Sequence, residues 1–357
     1  MLRLPFIAAA VAWIGFASSC SQLAGAQQPN QKTAAEVFKN IQVLKRVPAN
    51  QWFDTMSFIA GSLGVTCDHC HTSSFDVDEG NPAKLKAREM MRMVDEINSN
   101  HFDSHIAVTC NTCHRGTLKP QHGPVPNVEH WKKAAEKVEP PPSSAEILAR
   151  YRKLIGKGTG DAVHTQSVSF EIATYNGTGP ARQNSLDVLL DGSDKIRTST
   201  RDGQTVKTLI KNGHEAWINE GAGWRAMNEG EASTAFEDAN ILSPDQVGDI
   251  DSSGAVFEDK VNGERAYVIP VELKHGRKWF FFDVNSGVLL RKRIFFPSFY
   301  GDGSVDFEYA DYRNYGKAVL PTTFQIVNAG GNGLTISHAT SRRVNIGIKG
   351  SEFETTK

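Results

Sequence analysis

The sequence predicts a multidomain α + β protein, in which a small all-α domain is followed by an antiparallel β domain with a few helices. Apolar residues recur at helical spacing within residues 27–118. A segment rich in proline follows at residues 119–144 and predicts a linker. In residues 145–357, short runs of β-branched and aromatic residues alternate with turn dipeptides such as Asn262-Gly263.

Three helices are predicted in the first domain. A capping box that starts at Thr33 marks the beginning of the first helix. Pro48 is placed to begin the second helix, and Gly64 to end it. One face of this second helix carries Trp52, Met56, Ile59 and Leu63. The third helix begins at Asn81-Pro82, and its apolar positions are Ala87, Met90, Val94 and Ile97.

Charge and composition limit the function. The formal net charge is −1 over 357 residues, so no basic field exists that would attract nucleic acid. The sequence also contains no recognisable catalytic acid–base pair or nucleophile constellation. A function other than catalysis is therefore favoured.

The first residues predict an export signal. Arg3 precedes an apolar run at residues 4–17, which has the length of a signal peptide core and is too short to span a bilayer. Two processing sites compete. A site of the A-x-A type ends at Ala26 and gives a signal peptide of residues 1–26, whereas a lipoprotein site ends before Cys20 and would leave that cysteine acylated. Either site predicts a periplasmic protein, and the second also predicts lipid anchoring to a membrane.

Four of the five cysteines lie in two copies of the pattern V-T-C-x-x-C-H. The copies comprise Cys67, Cys70 and His71 in one and Cys110, Cys113 and His114 in the other. A Cys-x-x-Cys-His sequence is the attachment site of a c-type haem, because two thiols on one turn reach the two vinyl groups of one porphyrin. The following histidine then binds the iron. The repeat therefore predicts two covalently attached c-type haems.

Other uses of paired cysteines stay open at the level of sequence. Two Cys-x-x-Cys groups can hold one zinc ion, and four cysteines of an exported protein can form two disulfides. A thioredoxin-like motif would occur once, beside a βαβ pattern that is absent here. The histidine after each second cysteine favours haem.

A methionine is a common sixth ligand of an electron-transfer haem. Met56 lies eleven residues before Cys67 on the apolar face of its helix, and Met90 precedes the second motif in a similar way. We therefore expect iron ligation by His71, His114, Met56 and Met90. Alternatives for the second sixth ligand are Met91, Met93, His101 and His105. Candidate partners for the haem carboxylates are Arg88, Arg92 and Arg115.

Residues 38–116 resemble the cytochrome c subunit of photosynthetic reaction centres. The similarity rests on "QVLKRVPANQWFDTMSFIAGSLGVTCDHCH", "AREMMRMVDEIN" and "VTCNTCHRG". In that family a helix donates methionine to each haem, and a turn and Cys-x-x-Cys-His follow. The resemblance implies that Met56 and His71 ligate one iron and that Met90 and His114 ligate the other. The family's subunit holds four haems, so the resemblance covers one half of it.

Residues 145–357 are similar to the lipoprotein-carrier (LolA-type) half-barrel. The similarity rests on "ILARYRKLIGKGTGDAVHTQSVSFE", "GHEAWI", "FFDVNSGVLLRKR" and "YADYRNYGKAVLPTTF". It implies a curved antiparallel sheet with helices, here at residues 145–155 and 229–241, over a concave apolar face. We expect a lipid or another apolar ligand on that face. Aromatic residues predicted to line it are Trp217, Trp224, Trp279, Phe281 and Phe295.

The combined interpretation is electron transfer by an exported, membrane-associated dihaem protein, with redox proteins as electron donor and acceptor. The linker would hold the haem domain apart from the β domain. One alternative is a dihaem peroxidase-like enzyme, which needs an open position at one iron. A second alternative is lipid or lipoprotein binding by the β domain, with the haems as a redox sensor.

Overall fold

A computed structural model defines the protein over most of its two predicted domains. The described residues are 32–71, 80–120, 140–157, 162–175, 180–192, 194–228, 231–232, 235–236, 247, 250, 255–273, 276–328 and 333–355. The predicted signal segment with Cys20 and most of the linker lie outside them. Of the helix predicted at residues 229–241, only residues 231–232 and 235–236 are described, and both pairs are helical.

The first domain consists of short helices, as the sequence predicts. Its described α-helices are α1 (Ala34–Val37), α2 (Trp52–Leu63), α3 (Pro82–His101) and α4 (Cys110–His114). The 3-10 turns are Ala49–Gln51 and Cys67–His69. The predicted capping box at Thr33 is present, and Gly64 ends α2 in the left-handed region with φ 65°. Pro48 precedes the turn before α2 and does not itself begin the helix.

The β domain is built on one antiparallel sheet of thirteen strands. A short helix, α5 (Ser144–Leu154), packs on one face of it through Ile147, Leu148 and Tyr151. Strand β15 pairs with β1 and β14 pairs with β11, so the first and last of these strands in chain order lie side by side near the middle of the sheet. This architecture confirms the predicted fold class. The sheet order is β6-β5-β4-β3-β2-β1-β15-β14-β11-β10-β9-β8-β7, and β12 pairs with β13 separately.

The strand bounds are as follows. The first eight are β1 (Thr165–Tyr175), β2 (Arg182–Asp191), β3 (Lys195–Asp202), β4 (Thr205–Asn212), β5 (Glu215–Asn219), β6 (Trp224–Ala226), β7 (Phe257–Val261) and β8 (Glu264–Leu273). The others are β9 (Gly276–Asp283), β10 (Leu289–Ser298), β11 (Gly301–Ala310), β12 (Arg313–Tyr315), β13 (Ala318–Leu320), β14 (Thr323–Asn328) and β15 (Leu334–Val344). A 3-10 turn, Gly350–Phe353, follows the last strand.

The aromatic residues predicted for the concave face lie on the opposite face of the sheet. On β9, Phe280 and Phe282 belong to the core beneath α5, whereas Trp279 and Phe281 belong to a separate cluster. Successive side chains of a strand point to opposite faces, so a shift of one position reverses the assignment. By the same alternation, Ala216 and Ile218 face α5, and Trp217 does not. The strand pairing places Trp224 on the face of Trp217, and Phe295 on the face of Trp279.

The two domains are in contact, contrary to the expectation that the linker would hold them apart. The tip of the β10–β11 hairpin reaches α2, where the backbone N–H of Phe299 donates to Thr55 Oγ1 at 3.2 Å. Tyr300 is only 3% exposed and belongs to the core of the helical domain. The other members of that core are Ala34, Leu44, Val47, Ile59, Met91 and Val94. The β domain therefore supplies part of the helical domain's core.

Among the described helices, none combines the length and the apolar character that crossing a membrane would require.

Candidate cofactor sites

The first Cys-x-x-Cys-His motif opens onto a cavity of about 590 Å³. Cys67, Cys70, His71 and Met56 all line this cavity. The structure thus brings together the four side chains that the sequence predicts for the first site. The volume lies in the range of roughly 300–1,000 Å³ that is typical of sites for small molecules and cofactors.

Local structure explains why these side chains share one cavity. The predicted apolar face of α2 becomes a cavity wall through Trp52, Met56, Ile59, Ala60 and Leu63. The left-handed turn at Gly64 ends the helix, and the 3-10 turn at Cys67–His69 follows directly. The backbone N–H of His71 donates to the Cys67 carbonyl at 3.0 Å, which closes one turn and places both thiols next to each other along it.

The mouth of the cavity is aromatic and apolar. Phe38 stacks on Trp52 with 6.1 Å between ring centroids and meets Phe53 edge-on at 5.7 Å. Phe53 is 67% exposed although it lines the cavity. A large apolar side chain exposed at the edge of a cavity is typical of a surface that contacts a bound group.

Two buried cations line the same cavity. Lys84 and Arg88 lie one turn apart on α3 and are 8% and 6% exposed. The guanidinium of Arg88 donates to the backbone carbonyl and the side-chain oxygen of Asn40, both at 3.2 Å. The sequence prediction included Arg88 but missed Lys84. Lys84 lies four residues before Arg88, and residues at this spacing share one face of a helix. This spacing was the signal that could have shown Lys84 as a second cation at the site.

The two other predicted arginines are not in this cavity. Arg92 and Arg115 are both exposed. Arg92 lines a separate, smaller cavity of about 360 Å³. That cavity also contains Lys45, Arg46, Asp95 and Phe299.

The second motif forms α4, which begins at Cys110 and ends at His114. Asn98, in the last turn of α3, holds the chain just before α4. Its side-chain NH₂ donates to the Val108 carbonyl at 2.8 Å, and its oxygen accepts from the N–H groups of Ala107 (3.1 Å) and Val108 (2.9 Å). The sequence analysis missed this residue, and its place four positions after Val94, on the same face of the helix, was the signal that could have shown it.

The end of the second motif packs closely against the end of α2. The backbone N–H of Gly116 donates to the Ser62 carbonyl at 2.9 Å. A Cβ on Gly64 would lie 2.1 Å from the Gly116 oxygen, so the two backbones approach too closely for any side chain at that position. This contact fixes α4 against α2.

The histidine and the two cysteines of the second motif have different surroundings. Nδ1 of His114 lies 3.0 Å from the backbone carbonyl of Thr117, which leaves Nε2 for a ligand. Burial raises the pKa of the Cys110 thiol to about 11, so it stays protonated at neutral pH. Cys113 is exposed. Cys110 is thus neither an activated nucleophile nor a ready thiolate ligand.

The methionines of α3 are arranged differently from the prediction. Met91, which is 8% exposed, lies on the buried face together with Lys84, Arg88, Val94 and Asn98, and it lines the first cavity. Met90 lies about 100° away around the helix, is half-buried and is not part of that lining. Met93 is 41% exposed. The candidates His101 and His105 are exposed.

The arrangement does not support the competing uses of the cysteines. None of the four described cysteines takes part in a disulfide. Within the described parts of the chain, no three Cys, His, Asp or Glu side chains are grouped closely enough to hold a metal ion. In the described residues, the two Cys-x-x-Cys turns do not come together as one group of thiols.

A small helical domain with repeated attachment motifs, each close to a methionine-bearing helix, defines the class of c-type cytochromes. Residues 16–150 match the family model "Photosynthetic reaction centre cytochrome C subunit". The chain is 32% identical over 93 residues to the photosynthetic reaction center cytochrome c subunit of Rubrivivax gelatinosus, which is 25% of each chain. It is 32% identical over 96 residues to the same subunit of Thermochromatium tepidum, which is 25% of this chain and 23% of that one.

A third relative is cytochrome c-554 of Chloroflexus aurantiacus, at 33% identity over 82 residues, 21% of this chain and 20% of the relative. The chain thus matches about a quarter or less of the length of each of these relatives. The matches confirm the resemblance noted in the sequence and support c-type haem attachment in this segment.

Solved structures resemble the remaining part of the chain. A LolA superfamily protein, NE2245 from Nitrosomonas europaea, aligns with a TM-score of 0.43 at 10% identity, over 60% of this chain and 99% of that one. A DUF1329 family protein from Desulfovibrio piger aligns with a TM-score of 0.43 at 13% identity, over 58% and 97%. Both likenesses are too weak for functional comparison, and the fold of the β domain is defined by its own strand order.

Proposed function

We propose that the protein is an exported electron-transfer cytochrome with two covalently attached c-type haems. The observation that carries this proposal is the first cavity, which is lined by both cysteines, the histidine and a methionine of the predicted ligand set. Repetition of the motif at Cys110–His114 supports the second haem.

In the first site, Cys67 and Cys70 would hold the porphyrin through thioethers, and His71 and Met56 would ligate the iron. Bound there, a haem supplies a one-electron couple between ferrous and ferric iron. The protein contributes the ligands and the apolar wall of α2, which excludes water from the iron. Exclusion of water and a methionine ligand both favour the ferrous state.

Lys84 and Arg88 would face the carboxylates of this haem. These two cations line a cavity whose remaining lining is mostly apolar, and a cation in such a place can bind a carboxylate. A haem is apolar over most of its surface and carries two carboxylates. Its charge distribution therefore complements that of the cavity.

In the second site, Cys110 and Cys113 would hold the porphyrin, and His114 would ligate the iron through Nε2. The contact between His114 Nδ1 and the Thr117 carbonyl supports this role, because metal-bound histidines commonly donate their other ring N–H to such a group. Met90 is the proposed sixth ligand. Met91 lines the first cavity, and this leaves Met90 as the less exposed of the other two methionines on α3.

The test is the mass of the mature protein made in a host that attaches c-type haem. We expect two haem additions in the wild type. The double substitution Cys67→Ser with Cys70→Ser should remove one haem, and Cys110→Ser with Cys113→Ser should remove the other. Bound zinc, or two disulfides without porphyrin, would contradict the proposal.

The N-terminal sequence supports export. Export also agrees with haem attachment, because c-type haem is attached on the outer side of the bacterial inner membrane. N-terminal sequencing distinguishes the two processing sites. An acylated Cys20 places the protein on a membrane, whereas a mature terminus at Gln27 gives a periplasmic protein without an anchor. Redox proteins that donate and accept electrons are the proposed partners.

No observation favours the two alternative functions. A peroxidase-like enzyme needs an open sixth position at one iron, whereas Met56 and Met91 line the first cavity and Met90 is the proposed sixth ligand of the second iron. For lipid binding, the described core beneath α5 is occupied by the protein's own side chains, including Tyr151 against Phe282 at 5.3 Å. A fatty-acid probe that bound the protein saturably would revive the second alternative.

A further inference from the structure

Tyr300 is carried by the β domain but lies inside the helical domain. It sits at the tip of the β10–β11 hairpin and is 3% exposed. Its ring packs against Phe58 of α2 at 6.0 Å and against Phe299 at 5.4 Å. Cys110, the first cysteine of the second motif, packs against the same cluster.

The hydroxyl group of Tyr300 is buried and has no hydrogen-bond partner among the residues that the structure describes. Such a group is costly, and most buried hydroxyls are paired. In this protein the buried hydroxyl of Tyr312 donates to the Leu289 carbonyl. Tyr300 therefore differs from a buried tyrosine that serves the core alone.

The surroundings of this hydroxyl identify the missing partner. Burial, and then the electrostatic influence of Cys110 and Asp95, raise the pKa of Tyr300 well above its usual value, so the hydroxyl remains a donor. Cys110 is the proposed attachment point of the second haem. A haem attached there would bring two strong acceptors into the neighbourhood of Tyr300, namely its carboxylates, which lie on the porphyrin edge away from the thioethers.

We propose that Tyr300 donates a hydrogen bond to the haem carried by Cys110, so that the β domain completes the second haem site. This inference rests on the proposed function, since it requires a haem at Cys110. It goes further in assigning a haem contact to a residue 190 positions beyond the attachment motif and outside the helical domain.

The test is Tyr300→Phe in the haem-loaded full chain, followed by a redox titration that resolves both haems. A donor beside a haem favours the ferrous state, so its removal should lower one midpoint potential and leave the other unchanged. The Cys67→Ser, Cys70→Ser background, which keeps only the second haem, assigns the shifted potential. Tyr312→Phe is the matched control, because it removes a buried hydroxyl whose partner lies within the β domain, and it should change neither potential.

Thermal unfolding provides a second measurement. Loss of a hydrogen bond to the haem should lower the Tm of the loaded protein, whereas loss of an unpaired hydroxyl should leave it unchanged or raise it. Two haems by mass with unchanged potentials and an unchanged or raised Tm would overturn this inference alone. Absence of a haem from Cys110 would overturn the dihaem function, and this inference with it.

Discussion

Met56 and Met91 both line the first cavity, and only one methionine can complete the coordination of one iron. Met56 lies on α2, immediately before the motif, whereas Met91 belongs to the core beside the cavity. We therefore expect Met56→Ala to abolish the methionine–iron charge-transfer band of one haem and to lower its potential. Absorption spectra and a redox titration of the variant check this.

The matched control for this prediction is Met93→Ala, because Met93 is exposed on α3. It should leave both haems unchanged. If Met91→Ala removes the band and Met56→Ala does not, the ligand assignment within the cavity is reversed.

Gly64 combines a left-handed backbone with a close approach to Gly116. Gly64→Ala should destabilise the protein for both reasons. The control is Gly192→Ala, which has the same φ of 65° but no atom within 4 Å of the added Cβ. Backbone strain alone predicts a loss of roughly 1–2 kcal/mol for Gly192→Ala. Denaturant unfolding should show a clearly larger loss for Gly64→Ala, and equal losses would mean that the contact with Gly116 relaxes freely.

At the scale of single residues, the sequence identified the groups with distinctive chemistry and missed those defined by their surroundings. The Cys-x-x-Cys-His residues are recognisable because spacing along the chain dictates the attachment chemistry. Lys84, Asn98 and Tyr300 have no such pattern. Their roles depend on burial next to parts of the chain that are distant in sequence, and spacing carries no information about this.

At the scale of elements, α3 holds the second motif in place through Asn98. Asn98→Ala removes three hydrogen bonds and should cost on the order of 2–4 kcal/mol. It should also lower the fraction of chains with haem at Cys110, because residues 107–108 lose their anchor. Asn100→Ala on the exposed side of the same helix is the control. Mass spectrometry and denaturant unfolding measure both effects, and full haem loading of Asn98→Ala would refute the second expectation.

The existence of helices and strands was predictable, but the direction in which their side chains point was less so. The apolar face of α2 was assigned correctly because four apolar residues and a terminal glycine define one phase. On α3, several neighbouring positions are methionines, so the sequence did not decide which of them lies on the buried face. In the structure, Met91 does. On β9, four consecutive apolar residues, at 279–282, gave no alternation, so the face of Trp279 was assigned wrongly.

At the scale of the whole molecule, the hairpin of the β domain contributes to the core of the helical domain through Tyr300. In the described parts of the chain, the core beneath α5 receives no residue from the helical domain. A haem-loaded fragment of residues 27–118 should therefore be less stable than the same domain in the full chain. Loss of a large buried aromatic residue suggests a difference of roughly 3–5 kcal/mol.

Thermal unfolding of the two fragments and of the full chain checks this asymmetry. The fragment of residues 140–357 should unfold at nearly the temperature of the β domain in the intact protein. Equal stability of the haem domain with and without the hairpin would mean that Tyr300 contributes little to its core. A single sequence gives little information about contacts between domains. The residues that make this contact have the sequence pattern of an ordinary strand and turn, so nothing marks them as part of an interface.

The hairpin contact also constrains the order in which the protein is made. Tyr300 follows Cys110 by 190 residues, so in an exported chain the second motif would cross the membrane long before the hairpin. Once the hairpin has docked, Cys110 is packed against the cluster that contains Tyr300, which restricts access to its thiol. If Cys110 carries a haem as we propose, the haem would have to be attached while the β domain is still unfolded. A chain that folded too early would then be left with one haem.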